Sequence, residues 1–490
     1  MKTKLFSKKL RRVGGKKKIN KNKNLTKTKK LRRVGGKFKF KFGLPKGLPK
    51  GLPKGLPKGH LPTETYPTET FFRACERGNL LLMEQELSKN PEIINLANQN
   101  HDGMTSLHIA CKNGHVDAVQ LLLKNGAEVD LANNYGFTPL HVACEKGHVD
   151  VARLLLENGA EVDRVMPPVT EEGWTPLHLA CENGHVDAAR LLLENGAEVD
   201  RANTNGSNSY RTPLNLACWK GHLDVVKMLL DNGAKVDLAN QYGFTPLHVA
   251  CDFGHLDVVK MLLDKGAEVD VTEEGWTPLH LACFRGHVDV VQLLLDNGAK
   301  VEKVVSKGQQ EGQTPLHLAC RKGHVDVVHI LLNNGADVNL KDHHGVTPLY
   351  IACLEDHVDL ARLLLDKGAD INKATKNGMT PFFVACDHNH IDIVKFFIDE
   401  NIDINKTNKN GYTALHFACK KGHIKVVQLL LNAGATINKN TRISSPKELA
   451  KKAGHTDIVK LIENHQKINY PKDESQTPLL DPQSNDNELV

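Results

Sequence analysis

From about residue 105 onward, apolar and polar positions follow two helical phases that return in fixed order. In the block opening at Thr138, residues Leu140, Ala143 and Cys144 fall on one face at helical spacing. Thr138 suits the N-cap, where its hydroxyl accepts an amide that would otherwise lack a partner, and Pro139 suits the first helical position, where its missing N–H costs nothing. Gly147 supplies the left-handed residue that ends the helix. A second helix is expected from Val149 to Glu157, with an apolar stripe through Val151, Leu154 and Leu155, closed by Asn158-Gly159. The stretch from Ala160 through Asp163 and onward is short, polar and turn-rich. The Thr-Pro step, or a close variant, returns at 105, 138, 175, 212, 245, 277, 314, 347, 380 and 413, spaced by 33 residues in most cases, 32 once and 37 three times. A helix pair repeated at that period can bury its apolar face only against its neighbours, so the fold class is an all-α repeat solenoid.

The motif Thr-Pro-Leu-His-x-Ala, repeated in register, resembles the ankyrin repeat family over roughly residues 69 to 466. About ten full repeats are flanked by two divergent capping units, marked by Ala74-Cys75 and Gly78 at one end and Gly454-His455 at the other. The resemblance implies stacked helix-turn-helix units joined by hairpin fingers. It also implies that the first histidine of each motif ties neighbouring repeats together, that the second begins the second helix, and that the cysteine is core. The expected organisation is a disordered basic arm over 1–66, the solenoid over 67–466, and a disordered polar tail over 467–490.

Cysteine usage bears on compartment. All eleven cysteines, Cys75, Cys111, Cys144, Cys181, Cys218, Cys251, Cys283, Cys320, Cys353, Cys386 and Cys419, occupy one repeat position. Successive thiols are then about one helix-pair spacing apart, too far for a disulfide, and read as small apolar residues of a reducing interior. No apolar run reaches membrane-spanning length, and the N-terminus lacks the hydrophobic segment of a secretory signal, so an intracellular protein, cytoplasmic or nuclear, is expected.

Metal chemistry is the first candidate to weigh. His141, Cys144 and His148 are spaced i, i+3, i+7, as are His178, Cys181 and His185, and His248, Cys251 and His255. Such spacing could line up ligands on one helix face. Structural histidines are preferred, because the repeat itself offers a buried imidazole hydrogen-bond partners. The recurring acids Asp130, Asp163, Asp200, Asp237 and Asp270 sit one to a finger and form no general acid/base pair. Neither a P-loop nor a dinucleotide fingerprint occurs. A binder without turnover, cofactor, resident metal or small-molecule substrate is therefore expected, and as a monomer.

In ankyrin proteins partners meet the finger tips and the exposed end of the first helix, on the concave side. Here those positions vary while the scaffold does not. The finger position reads Met104, Phe137, Trp174, Arg211, Phe244, Trp276, Gln313, Val346, Met379 and Tyr412. The helix-end pairs include Trp219-Lys220, Asp252-Phe253, Phe284-Arg285 and Arg321-Lys322. All three tryptophans fall at positions expected to be surface, and aromatic residues and Arg dominate interface energy. The candidate protein-binding set is Trp174, Trp219, Lys220, Phe244, Phe253, Trp276, Phe284, Arg285, Arg321 and Lys322. The alternative is that the finger aromatics pack on adjacent fingers as scaffold. Three junctions carry four extra residues, near 166–168, 203–210 and 306–313, and could extend the contact area. The stretch Val169 to Cys181 recurs verbatim at Val271 to Cys283, which points to duplication within the chain.

Charge is divided unevenly. Residues 1–60 hold 23 of the 64 Lys and Arg and no Asp or Glu, which leaves 41 basic against 57 acidic residues, a net −16, on the rest. The arm duplicates a nine-residue segment (8–16 and 29–37), then runs Lys37 to Phe42 in alternation and repeats Gly-Leu-Pro-Lys four times. Lys8, Lys9, Arg11 and Arg12, with Lys29, Lys30, Arg32 and Arg33, resemble nuclear-import signals. Attraction to nucleic acid or an anionic membrane, a transit peptide, electrostatic masking of the groove, and an extension with no partner stay open beside that reading. Glu488-Leu489-Val490 loosely resembles a PDZ-type ligand. The leading expectation is a non-catalytic scaffold or adaptor that binds a partner protein. The alternative is a nucleus-directed regulator whose arm contacts nucleic acid while the repeats recruit a factor.

Overall fold

A computed structural model describes residues 67–469 apart from 166–172, 204–210, 241, 273–274, 309 and 438–442. The whole basic arm over 1–66 with its nuclear-import-like segments, the first inserted junction, nearly all of the second, and the C-terminal tail from 470 onward lie outside the described residues. Among the described residues there are twelve α-helix pairs in tandem and no strands. Each unit opens with a first helix, such as Pro139–Lys146, Pro213–Lys220 or Pro278–Arg285, and returns along a second, such as Val149–Glu157, Leu223–Asp231 or Val288–Asp296. The first unit begins with Pro67–Arg77, and the last helix, Thr456–Asn469, runs three residues beyond the boundary expected from sequence.

The ends of the helices follow from their sequence. The Thr138 hydroxyl accepts the His141 amide, and the His141 side chain accepts in return from the Thr138 amide, a reciprocal box that satisfies two free donors. Gly147 closes the helix at φ 73°. It also meets a second demand: a Cβ placed there would lie 2.5 Å from Nδ1 of His185 in the next unit. The second helix of this unit spans Val149–Glu157 as expected, burying Val151, Ala152 and Leu155, while Leu154 is half-buried. Leu140, Ala143 and the cysteines form one continuous core through the stack.

First helices meet their successors over a larger contact than second helices do. The fingers are tighter than the expected hairpins. Asn133 donates its amide to the Phe137 carbonyl at 2.9 Å, and its side-chain oxygen accepts from the Tyr135 and Phe137 amides. A loop this short closes as an Asx turn before a strand ladder can start. The third insertion, where described, makes a longer loop without an Asx residue at its head, and is closed by backbone bonds from the Val305 amide to the Gln313 carbonyl at 2.9 Å and from the Gly312 amide to the Val305 carbonyl at 2.8 Å.

Candidate protein-binding face

Histidines position the face. In His141, Nδ1 accepts the Thr138 amide at 3.2 Å, so Nε2 carries the proton and donates to the Trp174 carbonyl in the next finger at 3.2 Å. His108, His178, His248 and His317 repeat this, reaching Phe137, Arg211, Trp276 and Val346. Burial lowers each of these imidazoles to about 4, against the raising effect of the carbonyl bond. The second histidine of a motif points the other way: His148 Nε2 reaches back to the Lys112 carbonyl at 3.1 Å, and His255 to Trp219 at 3.1 Å. The i, i+3, i+7 triplets thus have imidazoles engaged with opposite neighbours rather than turned to a shared point. Among the described residues no three His, Cys, Asp or Glu gather as metal ligands would. All eleven cysteines are buried as free thiols, and burial pushes each thiol up.

The recurring finger acids are also structural staples. Asp130 accepts the Glu161 amide, Asp163 that of Glu198, Asp200 that of Lys235, Asp237 that of Glu268, and Asp270 that of Lys300. Each carboxylate is spent on the next finger's backbone.

The finger aromatics lean on the first histidine of their own unit. Phe137 lies 5.9 Å from His141, Phe244 5.4 Å from His248, Trp276 6.0 Å from His280 and Tyr412 5.5 Å from His416, all edge-to-face. Trp174 corrects the expectation that all three tryptophans are surface residues: it is 4% exposed, with its ring 6.0 Å from His178.

The helix ends behave differently. Trp219 is half-buried, with its ring 6.1 Å from Phe253 at 79°. Phe253 is 37% exposed and stacks at 11° on His255. Half-buried Phe284 meets Trp276 at 6.0 Å and 85°. Cations cover the ring faces: Lys220 Nζ lies 3.8 Å and the Arg211 guanidinium 5.3 Å from the Trp219 centroid, while Lys322 Nζ lies 4.4 Å and Arg285 5.9 Å from that of Phe284. The structure therefore gathers Trp219, Lys220 and Phe253 in one group and Trp276, Phe284, Arg285 and Lys322 in the next, joined through the Arg285–Asp252 pair, while Phe244 rests on His248 and Trp174 is withdrawn into the core.

Carboxylates that sequence reasoning did not include complete this face. Arg285 holds Asp252 in a two-point pair, at 2.7 and 3.0 Å, and Asp252 is 7% exposed. Lys220 meets Glu182 at 3.4 Å, Arg321 meets Glu355 at 3.3 Å, and Lys421 meets Asp387 at 3.5 Å. All four pairs join equivalent helix ends one repeat apart, so opposite charge at that spacing was the available signal. Arg211 is drawn below its ordinary value by burial, an effect that Glu182 partly offsets.

The arrangement defines a stacked helix-pair scaffold. Consistent with this, the family model described as Ankyrin repeats (3 copies) matches residues 71–166, 165–240, 214–305, 303–375 and 367–441. The chain belongs to the ankyrin repeat family, whose repeats generally mediate protein–protein interaction and are typically non-catalytic. It is also similar to the "Arf-GAP with ANK repeat and PH domain-containing protein cnt-1" of Caenorhabditis elegans, with 35% identity over 71 residues, covering 14% of this chain and 8% of that protein. Among the described residues no helix is long and apolar enough to cross a membrane.

Proposed function

We propose that the protein is a non-catalytic intracellular scaffold that holds a partner protein on the first-helix side of its repeats, centred on Trp219, Phe253 and Phe284. The observation that carries this reading is the run of half-buried and exposed aromatics with their cations at consecutive helix ends, where a surface built only for solubility would favour Glu and Lys. Histidine staples, finger acids and the Arg285–Asp252 pair hold the scaffold, and the Trp219 and Phe284 rings lie outside that hydrogen-bond network. Eleven buried thiols suit a reducing compartment. The test is affinity capture from cell extract with the full chain beside a Trp219→Ala, Phe253→Ala, Phe284→Ala variant that still melts cooperatively. Proteins retained by the native chain and lost from the variant support the reading. Identical captures overturn it.

A second reading is favoured by the basic arm, with 23 Lys and Arg and no acid in residues 1–60. In it the arm directs the chain to the nucleus or contacts nucleic acid or an anionic membrane, while the repeats recruit a factor. Arm-dependent binding to nucleic acid that weakens steeply with salt would favour it.

A further inference from the structure

We infer that the stretch of helix ends from Arg211 to Lys322 receives an extended, acidic segment of a partner protein. This rests on the reading above that the face binds protein, and adds the chemistry of what it binds.

Charge placement is the first argument. Outside the arm the chain is acidic, with 57 Asp and Glu against 41 Lys and Arg. Yet Arg211, Lys220, Arg285, Arg321 and Lys322 lie on the fingers and helix ends of three of four successive repeats, the remaining one supplying Asp252 and Phe253. Arg285 is committed to Asp252 by its two-point pair. The others keep donor capacity. Arg211 Nη1 is buried with no hydrogen-bond partner among the described residues, and so is Arg321 Nε, although Arg321 Nη1 meets Glu355. Lys220 shares Glu182 at 3.4 Å while remaining exposed, and Lys322 has no ion-pair partner among the described residues. The two arginine nitrogens are shielded where they stand, so the donors a partner carboxylate reaches first are the exposed ammonium groups of Lys220 and Lys322, with the rest of the half-buried guanidiniums beside them.

The second argument separates a peptide from a nucleic acid. Nucleobases bind aromatic platforms face-on. Here the faces of Trp219 and Phe284 are covered by Lys220, Arg211 and Lys322, and Phe253 lies on His255. What the face offers is cations oriented by rings, with the exposed part of Phe253 between them. That suits carboxylates flanking an apolar side chain. Lys220 and Lys322 are three repeats apart, about 24–30 Å at the usual helix–helix spacing, which an extended segment of about eight or nine residues spans.

The test uses the full chain and fluorescence anisotropy with a fluorescein-labelled peptide of about nine residues alternating Glu and Leu, against a Gln/Leu counterpart. The Lys220→Gln, Lys322→Gln variant changes two exposed side chains. A control, Lys227→Gln with Lys260→Gln, removes the same charge from exposed positions on second helices. The expected result is binding about tenfold weaker for the Gln/Leu peptide and about tenfold weaker for the groove variant, with the control within about twofold of the native chain. Arg211→Gln should weaken binding as well. Equal affinities for the groove and control variants would place the peptide on the arm or elsewhere and overturn the proposal. So would a single-stranded thymidine oligonucleotide that displaces the peptide and loses the same affinity in the groove variant, because that outcome assigns the face to nucleic acid. If the aromatic triple variant loses captured proteins while the peptide shows no dependence on its carboxylates, protein binding stands and the acidic partner falls.

Discussion

Arg285 reaches one repeat back to Asp252, placing Nε 2.7 Å from Oδ1 and Nη2 3.0 Å from Oδ2 of a carboxylate that is almost fully buried. The pair stitches consecutive first helices at their free ends, next to Phe253 and Phe284. Removing Arg285 leaves a desolvated carboxylate without its partner, so Arg285→Ala should destabilise the protein by about 1–3 kcal/mol. Asp252→Asn should be milder, because the amide oxygen still accepts a bond. A double-mutant cycle by urea denaturation should give a coupling well above that of the more exposed Lys146–Glu145 pair, for which about 0.5 kcal/mol or less is expected. Equal couplings would show that the two-point geometry contributes nothing.

The staple histidines set an acid limit. His108, His141, His178, His248 and His317 are held near 4 in the folded chain by burial, against an ordinary value of 6.5. Between those values the unfolded chain binds more protons, so stability is fully present above about pH 6.5 and falls as the pH drops toward 4. At about pH 5 each such histidine withdraws up to about 2 kcal/mol. The thiols act in the opposite direction. Burial raises them, as with Cys75 and Cys419 to about 12, so their contribution is present below about pH 9 and lost as the pH rises above it. Urea midpoints should be flat from about pH 7 to 8.5 and lower on both sides. An acid limb that persists after His141→Asn and His178→Asn with undiminished slope would assign it to other groups.

Much of this was legible in the repeat itself. Thr138, Pro139 and Gly147 mark a helix that spans Pro139–Lys146, and Val149–Glu157 matches the expected second helix end to end. What the period did not reveal is depth. Trp174 and Trp276 sit in identical thirteen-residue stretches, yet the first is buried and the second half-buried, because neighbouring repeats supply their surroundings. Nor does anything in one motif say that a finger ring will rest on its own histidine. Asp252 was hidden for a related reason: beside Phe253 it reads as a surface acid until Arg285 is placed one repeat away.

Two glycines that share a backbone conformation should respond unequally to substitution. Gly147 (φ 73°) and Gly159 (φ 86°) both lie in the left-handed region, where a Cβ costs about 1 kcal/mol. At Gly159 no atom lies within 4 Å of the added carbon, whereas at Gly147 His185 Nδ1 would lie at 2.5 Å. His185 cannot retreat without loosening its Nε2 bond to the Glu145 carbonyl at 3.1 Å. Gly147→Ala should therefore cost about 1–2 kcal/mol more than Gly159→Ala by thermal or chemical denaturation. Equal losses would mean that the histidine moves aside freely.

Asp163 offers the reverse opportunity, a substitution that should strengthen the stack. Its Oδ2 accepts the Glu198 amide at 3.0 Å, but its Oδ1 is buried with no partner among the described residues. At the equivalent position Asn339 makes two bonds to the next finger, accepting the Asp370 amide at 2.8 Å and donating to the Gly368 carbonyl at 2.9 Å. Asn405 and Asn95 do likewise, with Gly434 and Gly126 at 3.3 Å. A carboxylate cannot donate, so at Asp163 the second bond is missing and an acceptor oxygen stands in its place. In Asp163→Asn an amide nitrogen would face Gly196, the glycine two residues before Glu198, and one negative charge would leave a solenoid already rich in acid. The expected gain is about 0.5–1.5 kcal/mol, one neutral hydrogen bond's worth, read as a higher urea midpoint with unchanged slope. Asn339→Asp should lose a similar amount, since it removes the donor from an existing two-bond staple. If Asp163→Asn destabilises while Asn339→Asp is silent, the carboxylates rather than the amides are the better finger staples.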